Sequence, residues 1–155
     1  MADFTPHLTP AEMLRRGVFG GSYFQKAMRP TIWHMLEGLP KDVRALVDAN
    51  SGRFDKERNA YGVKAGQSYE QWMRNGWIFP EDPLGWFHWY CRYAAGRRHE
   101  RDDHQIRRWH NYGTRWGMFA RRQMHSTGDA SLVVKQGLLQ WAYEPMRVLH
   151  EMGDS

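Results

Sequence analysis

Positions 82 to 109 read DPLGWFHWYCRYAAGRRHERDDHQIRRW and pack five Trp or Tyr, six Arg and three Asp into 28 residues. Arginine presents a planar fork of donors that grips phosphate or carboxylate through paired hydrogen bonds, and rings beside it stack on flat partners. The carboxylates either satisfy those arginines or, where buried, act as acid or base. Asp102 is the one to single out. Ile106 and Trp109 mark the apolar stripe of a helix expected over 100–112, and Asp102 lies four positions before Ile106, with Gln105 beside it and Asp103 turned outward toward Arg107. Asp102 and Gln105 are therefore expected to face the core. A carboxylate there is costly unless paired and hydrogen-bonded, and Arg92, Arg97, Arg98 or Arg108 could supply the partner. One outcome is an ion-pair network joining two helices. The other is an anion pocket clamped by Arg97 and Arg98, with Asp102 or a nearby histidine such as His104 as acid or base; one network could serve both.

A broader feature surrounds that cluster. Arg101, Arg107, Arg108, Arg115, Arg121 and Arg122 alternate with Trp109, His110, Tyr112 and Trp116, the composition of a nucleic-acid surface, where cations neutralise phosphates and rings stack on unpaired bases. The function expected first is nucleic-acid binding or processing, on DNA or RNA, through a groove centred on 86–122. Arg107, Arg108, Arg115, Arg121 and Arg122 would hold phosphates, Trp109 and Trp116 would stack, and Asp102 would orient an inner arginine; Trp86, Trp89 and Tyr90 complete the ring-rich side. No helix-turn-helix, zinc-finger or RNA-recognition signature accompanies it. The alternative is a small enzyme that encloses an anionic metabolite between Trp86, Tyr90, Arg97 and Asp102. A third reading is an interaction module for an acidic protein.

Other chemistries are weakly represented. His99 and Asp103 would share a helix face near His104 and His110, but there is no HExxH and no Cys pair, so neither a metal site nor a cofactor is expected. Cys91 sits among rings as a core thiol, and as the lone cysteine it excludes an intramolecular disulfide. Gly17, Gly20 and Gly21 lack the Gly-Lys-Ser/Thr of a phosphate-binding loop and read as a tightly packed turn.

The whole chain bounds these readings. Its 155 residues, 41% hydrophobic, suit one domain. The net charge is +5, and 17 of its 22 cations are Arg. Residues 91–124 hold nine Arg and three acids, a net of +6, so the remainder nets −1 and the basic character is local. Eight Trp are too many for all to be fully buried, and some are expected to line a groove. With no charged-then-apolar leader and no apolar run near the roughly 18 residues of a membrane span, a cytoplasmic protein without membrane contact is expected.

The elements that must position these residues are mostly helices. Thr9, Pro10 and Glu12 spell a capped start for a helix that runs to Arg16 and stops at Gly17. Residues 17–24 form a structured glycine loop, 32–39 one or two helical turns, and 41–50 an amphipathic helix; 52–67 is the long loop. Ser68 caps a helix through Asn75, followed by an extended bridge at 77–80. Asp82 and Pro83 start the central aromatic helix, about 83–95, apolar nearly all round and ended by Gly96. The helix over 100–112 is expected to stop at Gly113, with either a helix or a basic loop over 115–123. A turn at 126–129 precedes the last clear helix, 132–141. No alternating run argues for a sheet, so the fold class is mostly α, a single compact helical domain over 1–155 with long ordered loops and loosely held ends at 1–8 and 145–155.

The stretches FGGSYF, YGVKAGQSYEQW, the run from Gly76 to Trp109, and KQGLLQWAY together resemble a family of small uncharacterised proteins of bacteria, fungi and plants. The resemblance spans most of the chain. Its central motif is Asp-Pro-x-Gly-Trp leading to Trp-Tyr-Cys, then Gly-Arg-Arg, Asp-Asp and Gln-Ile-x-Arg-Trp. What it implies is that Asp82, Trp86, Trp89, Tyr90, Arg97, Arg98, Asp102, Asp103 and Gln105 belong to one motif, with no activity attached. His88 and the pair Ala94-Ala95 depart from the pattern.

Overall fold

In the computed structural model, residues 3–23, 38–48, 53–66, 71, 74–76 and 79–151 are described. Six α-helices run through them: α1 (Pro10–Arg15), α2 (Lys41–Asp48), α3 (Trp86–Ala94), α4 (Asp102–Thr127), α5 (Leu132–Leu139) and α6 (Pro145–Glu151). Single 3₁₀ turns occupy Val18–Gly21 and Lys56–Arg58, and the described residues contain no strand, only an isolated bridge between Phe79 and Asp82. The chain is a compact, mostly helical domain. The turns expected at 32–39 and the helix expected from Ser68 lie wholly or largely outside the described residues.

Local signals set several boundaries. The Thr9 hydroxyl accepts from the Glu12 amide and the Glu12 carboxylate accepts from the Thr9 amide, closing the capping box that opens α1. Ser131 caps α5 in the same manner through the Val134 amide. The aromatic helix starts later than its Asp-Pro signal suggests, at Trp86 instead of 83. Gly85 holds a backbone open only to glycine (φ 100°, ψ −161°), and Asp82 is not its cap, because its carboxylate is engaged elsewhere.

The largest correction concerns α4, which does not stop at Gly113 but continues for 26 residues, about 39 Å at 1.5 Å per residue. Gly113 is a point of close approach, not a terminator. A Cβ there would sit 2.1 Å from the hydroxyl of Tyr143, whose own hydrogen bond runs to the Trp109 carbonyl at 2.8 Å. The gain from that packing outweighs glycine's weak helix propensity, a cost of about 1 kcal/mol. The helix ends instead at Gly128, in the left-handed conformation.

α4 packs on α5 and α6, while α1 packs on α2 and α3. α3 is buried from Trp86 through Cys91. The described parts of the ends expected to be loose, 3–8 and 145–151, contribute residues to this core. Phe4 inserts among Trp86, Trp89, Tyr90, Tyr93 and Trp109, with centroids 5.0 to 6.2 Å away. Ring pairs of this kind are worth about 0.5–1.5 kcal/mol each beyond the area they bury. The Tyr90 hydroxyl donates to the Leu8 carbonyl, the His7 amide donates to the Ala142 carbonyl, and α6 buries Val148 and Leu149. Among the described residues, no helix is long and apolar enough to cross a membrane.

Candidate functional site

The arginine and aspartate motif folds into a scaffold. Asp102 and Gln105 do face the core. Asp102, however, pairs with no arginine among the described residues: its carboxylate accepts from the Trp89 indole at 2.8 Å and from the His99 amide at 2.9 Å. The arginine fork goes to Asp82, which is 1% exposed and receives both Arg97 Nη atoms at 2.9 and 2.6 Å. Arg92 adds a weaker contact to Asp82 and donates to the Glu81 carbonyl. Arg98 lies over the Tyr93 ring, 3.7 Å from its centroid, and donates to the carbonyls of Tyr93 and Arg97. Arg97 and Arg98 thus turn to partners other than Asp102, and the three side chains do not form the clamp expected of them.

The other expected site residues divide. Trp89, Tyr90 and Trp109 are core. Trp109, 3% exposed, donates its indole N–H to the Trp141 carbonyl and stacks on Tyr143 at 4.7 Å, so it has no face left for a base. Arg101 pairs with Glu81 and lies over Phe79. His104 is exposed, edge-on to Phe79; burial and then the charges of Arg108, Arg101 and Arg107 hold its pKa below the usual histidine value. Arg107 and Arg122 are exposed and Arg121 is half-buried, all on α4. Cys91 is buried, which pushes its thiol pKa well up. Among the described residues no group of three His, Cys, Asp or Glu side chains is placed to hold a metal ion.

Trp86, Arg108, Arg115 and Trp116, by contrast, converge on a cavity of about 570 Å³, within the range of small-molecule sites. Its polar wall is one stripe of α4, where Arg108, Asn111, Tyr112, Arg115 and Trp116 recur at i, i+3, i+4, i+7 and i+8. Facing it is an apolar wall from α5: Val133, Val134 and Gly137. Gly137 is required because a Cβ there would come 2.5 Å from the Tyr112 hydroxyl. Rings line one side as a ladder. Trp86 lies 4.8 Å from Trp141, Trp141 is stacked on Tyr112 at 4.7 Å, and Tyr112 is 6.2 Å from Trp116.

The cavity's electrostatics are one-sided. The Arg108 guanidinium donates to the Gln105 side chain at 3.0 Å and lies over Trp141, while Arg115 lies over Trp116. No lining residue among those described is Asp or Glu. Burial pushes the pKa of Arg108 down to about 10, with nearby Tyr23 acting in the opposite direction, so the group is still a cation at neutral pH. Burial raises the Tyr112 pKa, which keeps its hydroxyl a neutral donor.

Side-chain amides fasten the loops that complete the cavity. Gln140 Oε1 accepts from the Phe19 amide at 3.4 Å and from Gln136 Nε2 at 3.2 Å, and Gln140 Nε2 donates to the Ala65 carbonyl at 3.2 Å. Asn59 Oδ1 accepts from the Gly20 amide at 2.7 Å, and Gln136 Oε1 from the Tyr61 amide at 3.2 Å. Two non-glycine residues among those described have positive φ, Phe19 at 60° and Ala142 at 62°. Phe19 lines the cavity and Ala142 follows the lining Trp141. Each such conformation costs on the order of 1–3 kcal/mol and persists where surrounding contacts over-determine it, often at ligand sites.

Sequence reasoning missed Asn111, Gln140, Trp141 and the α5 wall as site residues. The signal for the α4 stripe was present in the spacing from Arg108 to Trp116, but reading Gly113 as a stop cut it in two. No family model, curated protein or solved structure matches this chain.

Proposed function

We propose that this protein binds a small organic anion in the cavity between α4 and α5. The observation that carries the reading is the pairing of Arg108 and Arg115 with a ring-lined cavity whose described lining holds no carboxylate. Arg108, partly desolvated and held by Gln105, places positive charge inside the cavity, Arg115 at its rim offers a fork for a carboxylate or phosphate, and the rings and valines receive an apolar body. The described lining residues carry Tyr hydroxyls but no Asp, Glu, His, Lys or Cys, which favours binding over acid–base catalysis. Trp86, Trp116 and Trp141 supply a fluorescence readout. Titration with benzoate, hexanoate and phenyl phosphate is expected to change the emission saturably in the wild type and not in a folded Arg108→Met variant. A flat response to all three anions at millimolar concentration would remove this reading.

The second reading keeps a nucleic-acid partner, DNA or RNA, with a changed surface. Arg107, Arg115 and Arg122 are exposed along one helix, and Phe119, 43% exposed, lies beside Trp116. A single strand following α4 would use these groups and leave Trp109 in the core. Anisotropy of labelled oligonucleotides at two salt concentrations tests it, since several phosphate contacts demand a steep loss of affinity with salt. A cytoplasmic location, suggested by the lone thiol, and membership of the family with the Asp-Pro-x-Gly-Trp motif belong to the same set of proposals. On that view most of the motif, including Asp82, Trp89, Arg97 and Asp102, is scaffold around the site.

A further inference from the structure

We infer that the outer part of α4 and the first turn of α5 form a docking face for an acidic segment of another protein. The face extends past the small-anion site, since Phe119 and Arg122 do not line the cavity. Arg115 and Arg122, seven positions apart, stand on one line of α4 and are separated by about 10 Å along its axis. Met118 and Phe119, three and four positions on from Arg115, flank that line on either side, and both are exposed. The Phe119 ring meets Trp116 edge-on at 5.5 Å, and Trp116 lines the cavity together with Val133 of α5, which is 52% exposed. Exposed apolar side chains scattered singly are ordinary on a protein surface, but these sit together beside an apolar cavity.

The charge on the face identifies the partner. From His104 to Thr127 the helix has no Asp or Glu. Among the described residues the Arg115 and Arg122 side chains have neither an ion pair nor a hydrogen bond, and Arg115 rests on Trp116. Two such cations beside apolar groups are complementary to carboxylates set beside apolar side chains. On the partner, carboxylates seven positions apart on a helix or three apart on a strand span the same distance, about 10 Å. The cations also suit nucleic acid, but Met118 and Val133 carry no ring to stack on a base, whereas Met, Arg and aromatic residues are the types enriched at protein interfaces. A lipid surface is served by cations and apolar groups on separate faces of a helix, and here Arg115 and Arg122 run between Met118 and Phe119.

Selection of a random peptide library on the immobilised full chain at low salt tests this. Enriched peptides are expected to carry Asp or Glu next to apolar residues. Their affinity should fall about five- to tenfold in Phe119→Ser and in Arg122→Gln, each checked for folding by circular dichroism. Both variants are expected to keep the wild-type fluorescence response to benzoate, hexanoate and phenyl phosphate, since neither residue lines the cavity. Enriched peptides without acidic residues, peptides that bind both variants as tightly as the wild type, or no enrichment at all would overturn the docking face. Oligothymidylate or phosphatidylglycerol vesicles that bind the wild type and lose affinity in both variants, with no acidic peptide enriched, would overturn it in favour of nucleic acid or lipid. A flat response to the small anions beside peptide binding that both variants weaken would remove the cavity reading and support the docking face.

Discussion

Arg108 carries the functional argument because it is a cation held against rings in a partly dry site, where desolvation lowers its pKa to about 10. The sign of the pH effect follows. Below that value the guanidinium is charged in both folded and unfolded protein, so anion affinity should be flat from neutral pH upward and then decline as pH rises through about 10. Its folded pKa lies below the ordinary arginine value, so the cost of burying this charge is present at neutral pH and is relieved only as pH climbs past about 10. Titrating a carboxylate ligand across that range checks the first expectation. Asp82 makes the contrasting case of a buried charge used for architecture. Asp82→Asn removes the partner of the Arg97 fork, and since breaking a buried pair from one side costs about 3–5 kcal/mol, urea unfolding should show a loss of roughly 3 kcal/mol. Trp89→Phe takes one of two donors from the buried Asp102 carboxylate, with an expected loss of about 1–3 kcal/mol in the same measurement. Neither residue lines the cavity, so anion affinity in the folded fraction should be unchanged.

α4 shows how a helix carries two jobs on adjacent stripes. Ile106, Trp109, Gly113, Gly117 and Ala120 face the core, and the stripe from Arg108 to Trp116 faces the cavity. The small residues of the first stripe let neighbouring elements approach closely. Gly113→Ala is therefore a sharp test: in an isolated helix it would add about 1 kcal/mol of stability, but here the new methyl meets Tyr143, so a net loss of about 1–3 kcal/mol is expected in thermal or urea unfolding. Thr114→Ala, one position along on the exposed face, should be neutral or slightly stabilising and controls for propensity. Local signals of capping and periodicity gave the start of α1, the position of α2 and the start of α5, because those depend on residues within a few positions. They misplaced the start of α3, where Gly85 takes a backbone conformation reserved for glycine, and the end of α4, where Gly113 answers to packing against distant Tyr143.

The charge of the molecule is distributed in a way composition could not show. Of the arginines in the basic stretch, Arg92 and Arg97 pair with Asp82 and Arg101 with Glu81, which leaves Arg107, Arg115 and Arg122 to set the exposed field along α4. Binding governed by the half-buried Arg108 should survive 0.2 M salt to about the same degree as at 0.02 M, because burial protects it from screening, whereas oligonucleotide binding along α4 would collapse over that range. Running both titrations on one preparation separates the two readings. The sequence alone determined the helical class, the capped start of α1, the inward face of Asp102 and Gln105 and the aromatic character of the core, since periodicity fixes which way a side chain points on its own helix. It could not choose partners across elements. Arg97 met Asp82 instead of Asp102, and Asp102 met Trp89, because several candidates lay at compatible spacings. The cavity belongs wholly to the tertiary structure: Gln140 joins Phe19, 121 positions away, and Gln136 joins Tyr61, 75 positions away, contacts that no local pattern encodes. They exist because α4 runs on past Gly113 and brings its arginine stripe against α5 and the two loops fastened there.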